Sequence, residues 1–318
     1  MHVTAPTDAN PVDGGAGAHP VDGDSAAFPR TDAAPSERAA DITTTTVPPP
    51  PSSWKEHWFE HDQLLTMVSD DEHAVVYLDD AVGRDGAAWL FPFLSRLWAY
   101  TKTTYGVPGD ARLYAVFHEG RYLGGHASSV FDASHDFKNV IDYGGAVGIW
   151  QDMGFAEGPT ITAGMVLEGA SLGIEHVPSA SLTGLEFPRI YAYDALTALG
   201  FAEAATRLLA RANEATTNSP RPNTYWFRDW FHPLWKRGGA ALFARYFQLL
   251  SRHYPQVPRA DGRGFRYAPE MNSSEYVHFM SGAAGVDLKP LATAAFGWTP
   301  DQEIRFKRAK ADFPAIAY

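Results

Sequence analysis

The sequence predicts an α+β fold in which a mixed helix and strand half is followed by an all-helical half. Short apolar runs rich in β-branched and aromatic residues, which are typical of strands, stop at about residue 142. From residue 160 onward, apolar residues recur at helical spacing behind capping residues. The 318 residues are 45% hydrophobic and 13% aromatic, so the chain can bury a large core.

The first 53 residues differ in composition from the rest of the chain. They contain one aromatic residue, Phe28, no lysine, and the run TTTTVPPPPSS. Seven acidic residues against two arginines give this segment −5 of the total charge of −11. Such a segment buries too little apolar surface to offset the entropy of ordering. We therefore predict a disordered acidic tail that ends in an extended proline-rich spacer.

Residues 54–159 are predicted to form the mixed half. One stripe at helical spacing predicts a first helix over residues 54–68: Trp54, Trp58, His61, Leu65 and Val68. The runs HAVVYLDD (73–80) and ARLYAVFH (111–118) predict strands, and the helical pattern between them ends near Gly106. GRYLGGHASSVFD predicts a turn and an edge strand, and KNVIDY predicts a further short strand.

Residues 160–318 are predicted to be all-helical and to form one compact unit with residues 54–159. Capping boxes, in which Thr or Asn is followed three positions later by Glu or Gln, open predicted helices at Thr183, Asn272 and Thr299. The first of these helices is predicted to stop at Gly200.

Composition excludes several classes of function. A charge of −11 argues against nucleic-acid binding, and no Lys/Arg-rich block suggests a membrane-surface patch. With no cysteine, the chain has no disulfide, thiolate metal site or cysteine nucleophile. No apolar run approaches the roughly 20 residues of a membrane span. The N-terminus lacks the basic and apolar regions of a secretion signal, so we expect a cytoplasmic protein.

The sequence HWFEH, from His57 to His61, matches the metal-binding pattern H-x-x-E-H, with Glu60 as the acid. On a helix, histidines four positions apart share a face, as two zinc ligands must. That face is also the tryptophan stripe of the predicted first helix, however. The alternative is therefore a pair of half-buried core histidines.

Three further regions carry candidate site residues. One region contains three histidines that end or flank predicted strands, near Asp132 and Asp136: His118, His126 and His135. They are either residues of a functional site or ordinary surface histidines. Glu168 is the lone acid of a small, apolar helix and either serves a site or faces solvent. In NTYWFRDWFHPLW, the polar residues either line an aromatic-walled pocket or form a surface ion pair: Tyr225, Arg228 and Asp229.

Two phrases carry a resemblance to a known family. VLEGASLG, which contains Glu168, resembles the segment after the zinc motif in uncharacterised bacterial proteins of the gluzincin superfamily of HExxH metallopeptidases. SEYVHFMSGAAGVDLKPLATAAFGW resembles their closing helices. The resemblance covers roughly residues 54–314 and implies a zincin-like fold, with a strand-bearing half, an active-site helix and a helical half.

The family's zinc site is degenerate in this chain. The two zinc-binding histidines would fall on Ile161 and Met165, the catalytic glutamate on Thr162, and the third ligand near Arg189. Isoleucine has no donor atom and methionine is a poor zinc ligand. Threonine cannot act as the general base. An arginine in the emptied cleft suits an anion, since a guanidinium binds carboxylate or phosphate by two hydrogen bonds.

The resemblance leads to three hypotheses. In the first, the protein is a cytoplasmic enzyme without metal or cofactor that reuses the peptidase cleft for acid/base chemistry on a small molecule. An anionic substrate would suit Arg189. The catalytic candidates of this enzyme are His118, His126, His135, Glu168, Arg189, Tyr193 and Asp194, and its substrate contacts are Tyr225, Arg228 and Asp229. In the second, the protein is a non-catalytic adaptor. In the third, it is a metallohydrolase with unusual ligands, His57 and His61 first among them.

Overall fold

The two apolar runs that predict strands form neighbouring parallel strands at the centre of a mixed β-sheet. Every side chain of these two strands is buried, as expected where both faces of a sheet are covered. The strand order is β1-β2-β3-β4-β6-β5, with β3, β4 and β6 parallel and the other pairs antiparallel. The strands are β1 (Ser53–Lys55), β2 (Leu64–Asp70), β3 (Ala74–Leu78), β4 (Leu113–Glu119), β5 (Gly124–Ser128) and β6 (Asn139–Gly145).

The computed structural model describes residues 49–106, 112–152, 186–268 and 270–318. These residues belong to one compact unit that starts at Val47. The predicted tail lies outside the described residues up to position 48. Within the described ranges, no helix combines the length and the apolar character that crossing a bilayer requires.

Helices cover one face of the sheet, and most of them come after it in the chain. Helix α2 lies between β3 and β4 in sequence, and α4 to α9 make up most of the second half. The helices are α1 (Arg84–Ala87), α2 (Leu90–Thr104), α3 (Ile149–Asp152), α4 (Glu186–Ala198), α5 (Ala202–Glu214), α6 (His232–His253), α7 (Ser273–Ala284), α8 (Lys289–Phe296) and α9 (Pro300–Asp312). The described chain is therefore α+β, as predicted.

Alternation along the strands divides the buried residues between two cores. On the helical face of the sheet, residues such as Val76 and Phe117 join the large core formed with the helices. On the opposite face, which we call the hairpin face, a smaller core contains Val75, Tyr77, Tyr114, Val116 and Val140 of the sheet. Trp54, Trp58 and Leu65 of the β1–β2 hairpin cover it.

The helix predicted over residues 54–68 is wrong. The chain instead forms β1 and β2, joined by a loop over residues 56–63, and Trp54 pairs with Leu65 across the two strands. The stripe fits helical spacing, but an extended hairpin buries the same tryptophans against the sheet. Tertiary packing of this kind overrides a local pattern.

The prediction that residues 160–318 are all-helical is wrong, because a small β-hairpin follows α6. Strands β7 (Gln256–Pro258) and β8 (Phe265–Tyr267) pair antiparallel. The predicted capping boxes at Asn272 and Thr299 are present. The predicted cap at Thr183 lies outside the described residues, but the helix that it would open ends before Gly200, whose φ is 84°.

Candidate metal centre

Four side chains with metal-ligating atoms converge on the hairpin face of the sheet. His118 lies near the end of β4 and Asp142 lies within β6, on the neighbouring parallel strand. Glu56 and His61 come from the β1–β2 loop above them. One ligand atom from each residue lies within 4.8 Å of all the others. We call these four residues the candidate metal centre.

Short contacts link the four side chains of the candidate metal centre in a closed cycle, in which each carboxylate contacts both histidines. Oε1 of Glu56 lies 3.0 Å from Nε2 of His118 and 3.2 Å from Nδ1 of His61. The carboxylate of Asp142 closes the cycle, with Oδ1 3.2 Å from Nε2 of His118 and Oδ2 3.0 Å from Nδ1 of His61. Ligand atoms around a tetrahedral zinc ion lie roughly 3.4 Å apart, so these separations are close to those of a metal site.

Neighbouring groups fix both carboxylates of the candidate metal centre. The backbone N–H of Gln63 donates to Oε2 of Glu56 at 3.0 Å, which leaves Oε1 to face the histidines. The indole N–H of Trp58 donates to Oδ2 of Asp142 at 2.8 Å. Outer contacts of this kind orient metal ligands in proteins.

His118 is fixed from its other ring nitrogen. Its Nδ1 lies 3.0 Å from Oδ2 of Asp79, the residue directly after β3, and donates to it. Nε2 of His118 and Oδ1 of Asp142 are buried. Nε2 contacts Oδ1 of Asp142 and Oε1 of Glu56, but these contacts lack the angles of a well-formed hydrogen bond. A buried polar atom that lacks a well-formed hydrogen bond calls for an explanation. Here two such atoms face each other at 3.2 Å.

The candidate metal centre is rich in negative charge. Burial lowers the pKa of His118, but its contacts with Asp142, Asp79 and Glu56 outweigh burial and raise that pKa to about 11. The one other cation that contacts these carboxylates among the described residues is Arg121, with Nε 3.4 Å from Oδ2 of Asp79. Three buried acids thus face two histidines, His118 and His61, and one arginine. A divalent cation would balance this charge better than a single proton does.

A pocket of about 620 Å³ gives access to the candidate metal centre. His61 and Asp142 line it together with Glu60, His126 and residues of the β4–β5 turn. Two apolar side chains at its edge, Phe59 and Leu123, are 77% and 78% exposed. Large apolar side chains exposed beside a polar pocket are typical of a binding surface.

Two residues that line this pocket adopt strained backbone conformations. Phe59 and Tyr122 each have a φ of 50°, in the left-handed region that bulky residues avoid. The Tyr122 ring stacks on His61 with centroids 3.7 Å apart. Such outliers persist where the surrounding structure holds them and cluster at functional sites.

The turn that carries Tyr122 can approach the sheet only because Gly144 lacks a side chain. A Cβ atom on Gly144 would lie 2.0 Å from the carbonyl oxygen of Tyr122 and 2.3 Å from that of Arg121. Gly144 is the strand neighbour of His118 in β6. The glycine therefore places the stacking tyrosine over the candidate metal centre.

Two further histidines named from the sequence lie beside the candidate metal centre. His126, on β5, is the strand partner of Asp142, and its Nε2 lies 3.7 Å from Oδ2 of that residue. Nε2 of His135 lies 2.9 Å from Nε2 of His126. Burial lowers the pKa of both histidines, that of His135 to about 4. The structure thus brings together all three predicted histidines, His118, His126 and His135.

His57 and His61, the alternative metal ligands named from the sequence, do not share a helix face, because the helix that would align them does not form. His61 belongs to the candidate metal centre. His57 faces outward, with its side chain 46% exposed and its Nε2 3.3 Å from Oδ1 of Asp136.

The other predicted catalytic residues lie elsewhere or outside the described residues. Glu168 lies outside the described residues. Arg189, Tyr193 and Asp194 belong to α4 in the helical layer, on the far side of the sheet from the hairpin face. Asp194 is buried there and accepts hydrogen bonds from the hydroxyls of Tyr100 and Tyr105 and from the Trp235 indole.

The predicted substrate contacts on the aromatic segment form a local surface cluster. Arg228 makes a two-point ion pair with Asp229, with N–O distances of 2.7 and 2.9 Å. Its guanidinium lies 3.6 Å from the centroid of the Tyr225 ring. This arrangement matches the surface ion pair that the sequence left open as an alternative.

Sequence reasoning missed three acidic residues of the site: Glu56, Asp79 and Asp142. A signal was present for two of them. Asp142 interrupts the apolar strand KNVIDY, and Asp79 directly follows the apolar run AVVYL. Acids that border or interrupt a buried strand are rarely buried without a partner.

Comparisons with protein-family models, with curated proteins and with solved structures find no match for this chain. The resemblance to gluzincin metallopeptidases therefore stays a prediction that rests on the sequence alone.

Proposed function

We propose that the protein is a metal-dependent hydrolase whose metal ion is held by the candidate metal centre. The observation that carries this proposal is the convergence of four ligand atoms within 4.8 Å of one another, at a buried point where Nε2 of His118 and Oδ1 of Asp142 face each other without a well-formed hydrogen bond. An ion bound between them would satisfy both. The proposal corresponds to the third hypothesis from the sequence, with His61 kept as a ligand and His57 replaced by His118.

The chemistry of the four ligand atoms limits which metal ions can bind. Two imidazole nitrogens and two carboxylate oxygens suit zinc, iron(II) or manganese(II) and do not suit a soft ion such as copper(I). When bound, such an ion would polarise a substrate oxygen and lower the pKa of a water molecule, as metal-dependent hydrolysis requires. Asp79 acts as a positioning residue, because it fixes the tautomer in which Nε2 of His118 faces the ion.

The pocket fits a small substrate that carries an apolar group. Phe59 and Leu123 offer apolar contact area beside the candidate metal centre. Glu60 and His126 line the same pocket, so either can take up or deliver a proton during the reaction. The anionic substrate expected from the sequence depended on Arg189, which lies in the helical layer, so we do not retain it in this proposal.

Metal retention and hydrolysis test the proposal together. The purified protein is treated with chelator, dialysed against zinc or manganese, and assayed for bound metal and for hydrolysis of a panel of chromogenic esters and phosphoesters. We expect at least one ion per chain, and hydrolysis that chelator removes and metal restores. His118→Ala should lose both properties. His278→Gln, a substitution at a buried histidine of the helical half, should keep both.

Two outcomes would contradict the proposal. A protein that binds no metal would favour the first hypothesis from the sequence, a metal-free enzyme or relic of a zincin-like fold. In that case a protonated His118 would hold the three acids together, as its raised pKa allows. A protein that binds metal but hydrolyses nothing in the panel would make the ion a structural one.

A further inference from the structure

A pair of histidines, His126 and His135, lies next to the candidate metal centre. The two Nε2 atoms converge at 2.9 Å, and Nε2 of His126 lies 3.7 Å from Oδ2 of Asp142. Oδ1, the other oxygen of Asp142, faces His118. Asp142 therefore stands between two groups of histidines. Its Oδ2, which lies 3.0 Å from Nδ1 of His61 and accepts a hydrogen bond from Trp58, is the oxygen that contacts His126.

The tautomer of His135 follows from its neighbours. Oγ of Ser134 donates its only proton to Oδ1 of Asp132 at 2.8 Å. The same Oγ lies 2.7 Å from Nδ1 of His135, so it must accept a proton from that nitrogen. A neutral His135 then carries a free lone pair on Nε2, the atom that points toward His126. A ring held through Nδ1, with Nε2 left bare, is the arrangement of a metal-ligating histidine.

On both sides of Asp142, a carboxylate holds a histidine ring through its Nδ1 atom. Asp79 holds His118 through Nδ1, while Asp132 holds His135 through Ser134. The Trp58 ring stacks on His135 at 4.5 Å, and its indole N–H also donates to Oδ2 of Asp142. The side chain of His135 is 1% exposed and that of His126 is 25% exposed. The His135 imidazole is thus held in place, and its Nε2 is directed toward Nε2 of His126.

We infer that His126, His135 and Asp142 hold a second divalent metal ion, so that Asp142 bridges a dinuclear centre. This inference rests on the proposed function, because the first ion occupies the candidate metal centre. Three protein ligands leave a position open on the second ion, and His126 and Asp142 line the pocket from which a substrate would reach it. In two-metal hydrolytic sites the ions lie about 3.5–4 Å apart, a distance that one carboxylate can bridge. Glu60 then remains as the pocket residue that carries a proton.

A metal-free alternative explains the same pair. Two neutral histidines can share one hydrogen bond, with His126 donating to His135, and need no ion. The two arrangements differ in the number of ions bound and in whether these ions interact magnetically.

Manganese binding separates these outcomes. The full chain, freed of metal by chelator, is titrated with Mn²⁺, its bound metal is counted after gel filtration, and its electron paramagnetic resonance spectrum is recorded. We expect two ions per chain and the spectrum of a coupled pair. His126→Ala and His135→Ala should each reduce the count to one and give the spectrum of an isolated ion. His278→Gln should still bind two ions.

The controls keep the inference falsifiable. Because His135 is buried, circular dichroism checks its variant for folding, and the partly exposed His126 provides a second variant that decides alone if the first fails to fold. One ion per chain that both variants retain would overturn the dinuclear centre and leave the proposed function standing. No bound ion in the wild-type protein would overturn both.

Discussion

Nδ1 of His118 donates to Asp79 across a distance of 3.0 Å, and both side chains are almost fully buried. The hydrogen bond joins the ends of two neighbouring parallel strands, β3 and β4, which lie about 40 positions apart in sequence. Because it fixes the ring, Nε2 of His118 has to face Glu56 and Asp142. The predictions below follow from this geometry.

Asp79→Asn should weaken metal binding without removing a ligand. Loss of an outer carboxylate that holds a ligating histidine typically costs 10–100-fold in metal affinity. We expect a loss in that range, measured by competition with a chelating dye. The adjacent Asp80, whose side chain is 85% exposed, provides the matched control. Equal affinity in Asp79→Asn and Asp80→Asn would show that the hydrogen bond does not position His118 for metal.

Gly144→Ala should disturb the site as well as the fold. The new methyl group would collide with backbone atoms of Tyr122 and Arg121, so the turn must move and Tyr122 must leave His61. We expect a loss of about 1–3 kcal/mol in the free energy of unfolding, as for other overpacked sites, together with weaker metal binding.

Gly282→Ala is the control for that substitution. Its methyl group would contact the Ile316 side chain in the helical half, far from the candidate metal centre. It should lower the unfolding free energy and leave metal affinity unchanged. Metal affinity that is unaffected in Gly144→Ala would refute the role assigned to the turn.

Phe59 should tolerate asparagine better than valine. Its φ of 50° is accessible to asparagine but strained for a β-branched residue, and its ring is mostly exposed, so little burial is lost. We expect Phe59→Asn to match the wild type in unfolding free energy within about 0.5 kcal/mol. Phe59→Val should be less stable than Phe59→Asn. The reverse order in urea denaturation would mean that the Phe59 backbone is not strained.

His278 should make the protein sensitive to acid. Burial, with Lys310 nearby, lowers its pKa below the usual 6.5 despite its contact with the Phe313 carbonyl and the opposing charge of Asp287. A histidine with a lowered folded-state pKa contributes fully above pH 6.5, and that stability is lost as the pH falls below this value. We expect the urea midpoint to fall less between pH 7.5 and 5.0 in His278→Gln than in the wild type. Equal falls would contradict the lowered pKa.

The central strands and several helices could be predicted because their signals are local. Continuous apolar runs mark β3 and β4, and capping boxes mark α7 and α9. The β1–β2 hairpin could not be predicted in this way. The spacing of Trp54 and Trp58 fits a helix equally well, and only packing against the sheet decides between the two.

The site was predicted in part, for a related reason. The sequence marked the histidines, since three of them flank strands and His61 lies in a metal-binding pattern. It did not show that the β1–β2 loop would bring Glu56 onto His118, more than 60 positions away, or that strand register would place Asp142 beside it. Residues such as Asp194 were chosen for their place in a family pattern, and the structure puts them in the helical layer.

Anomalous X-ray scattering from crystals grown with zinc tests the central claim most directly. The proposed function predicts a difference peak at the zinc edge that lies about 2.0–2.2 Å from Nε2 of His118, Oε1 of Glu56 and a carboxylate oxygen of Asp142. A map without a peak at this position, with His118 and Asp142 in direct hydrogen-bond contact, would contradict it.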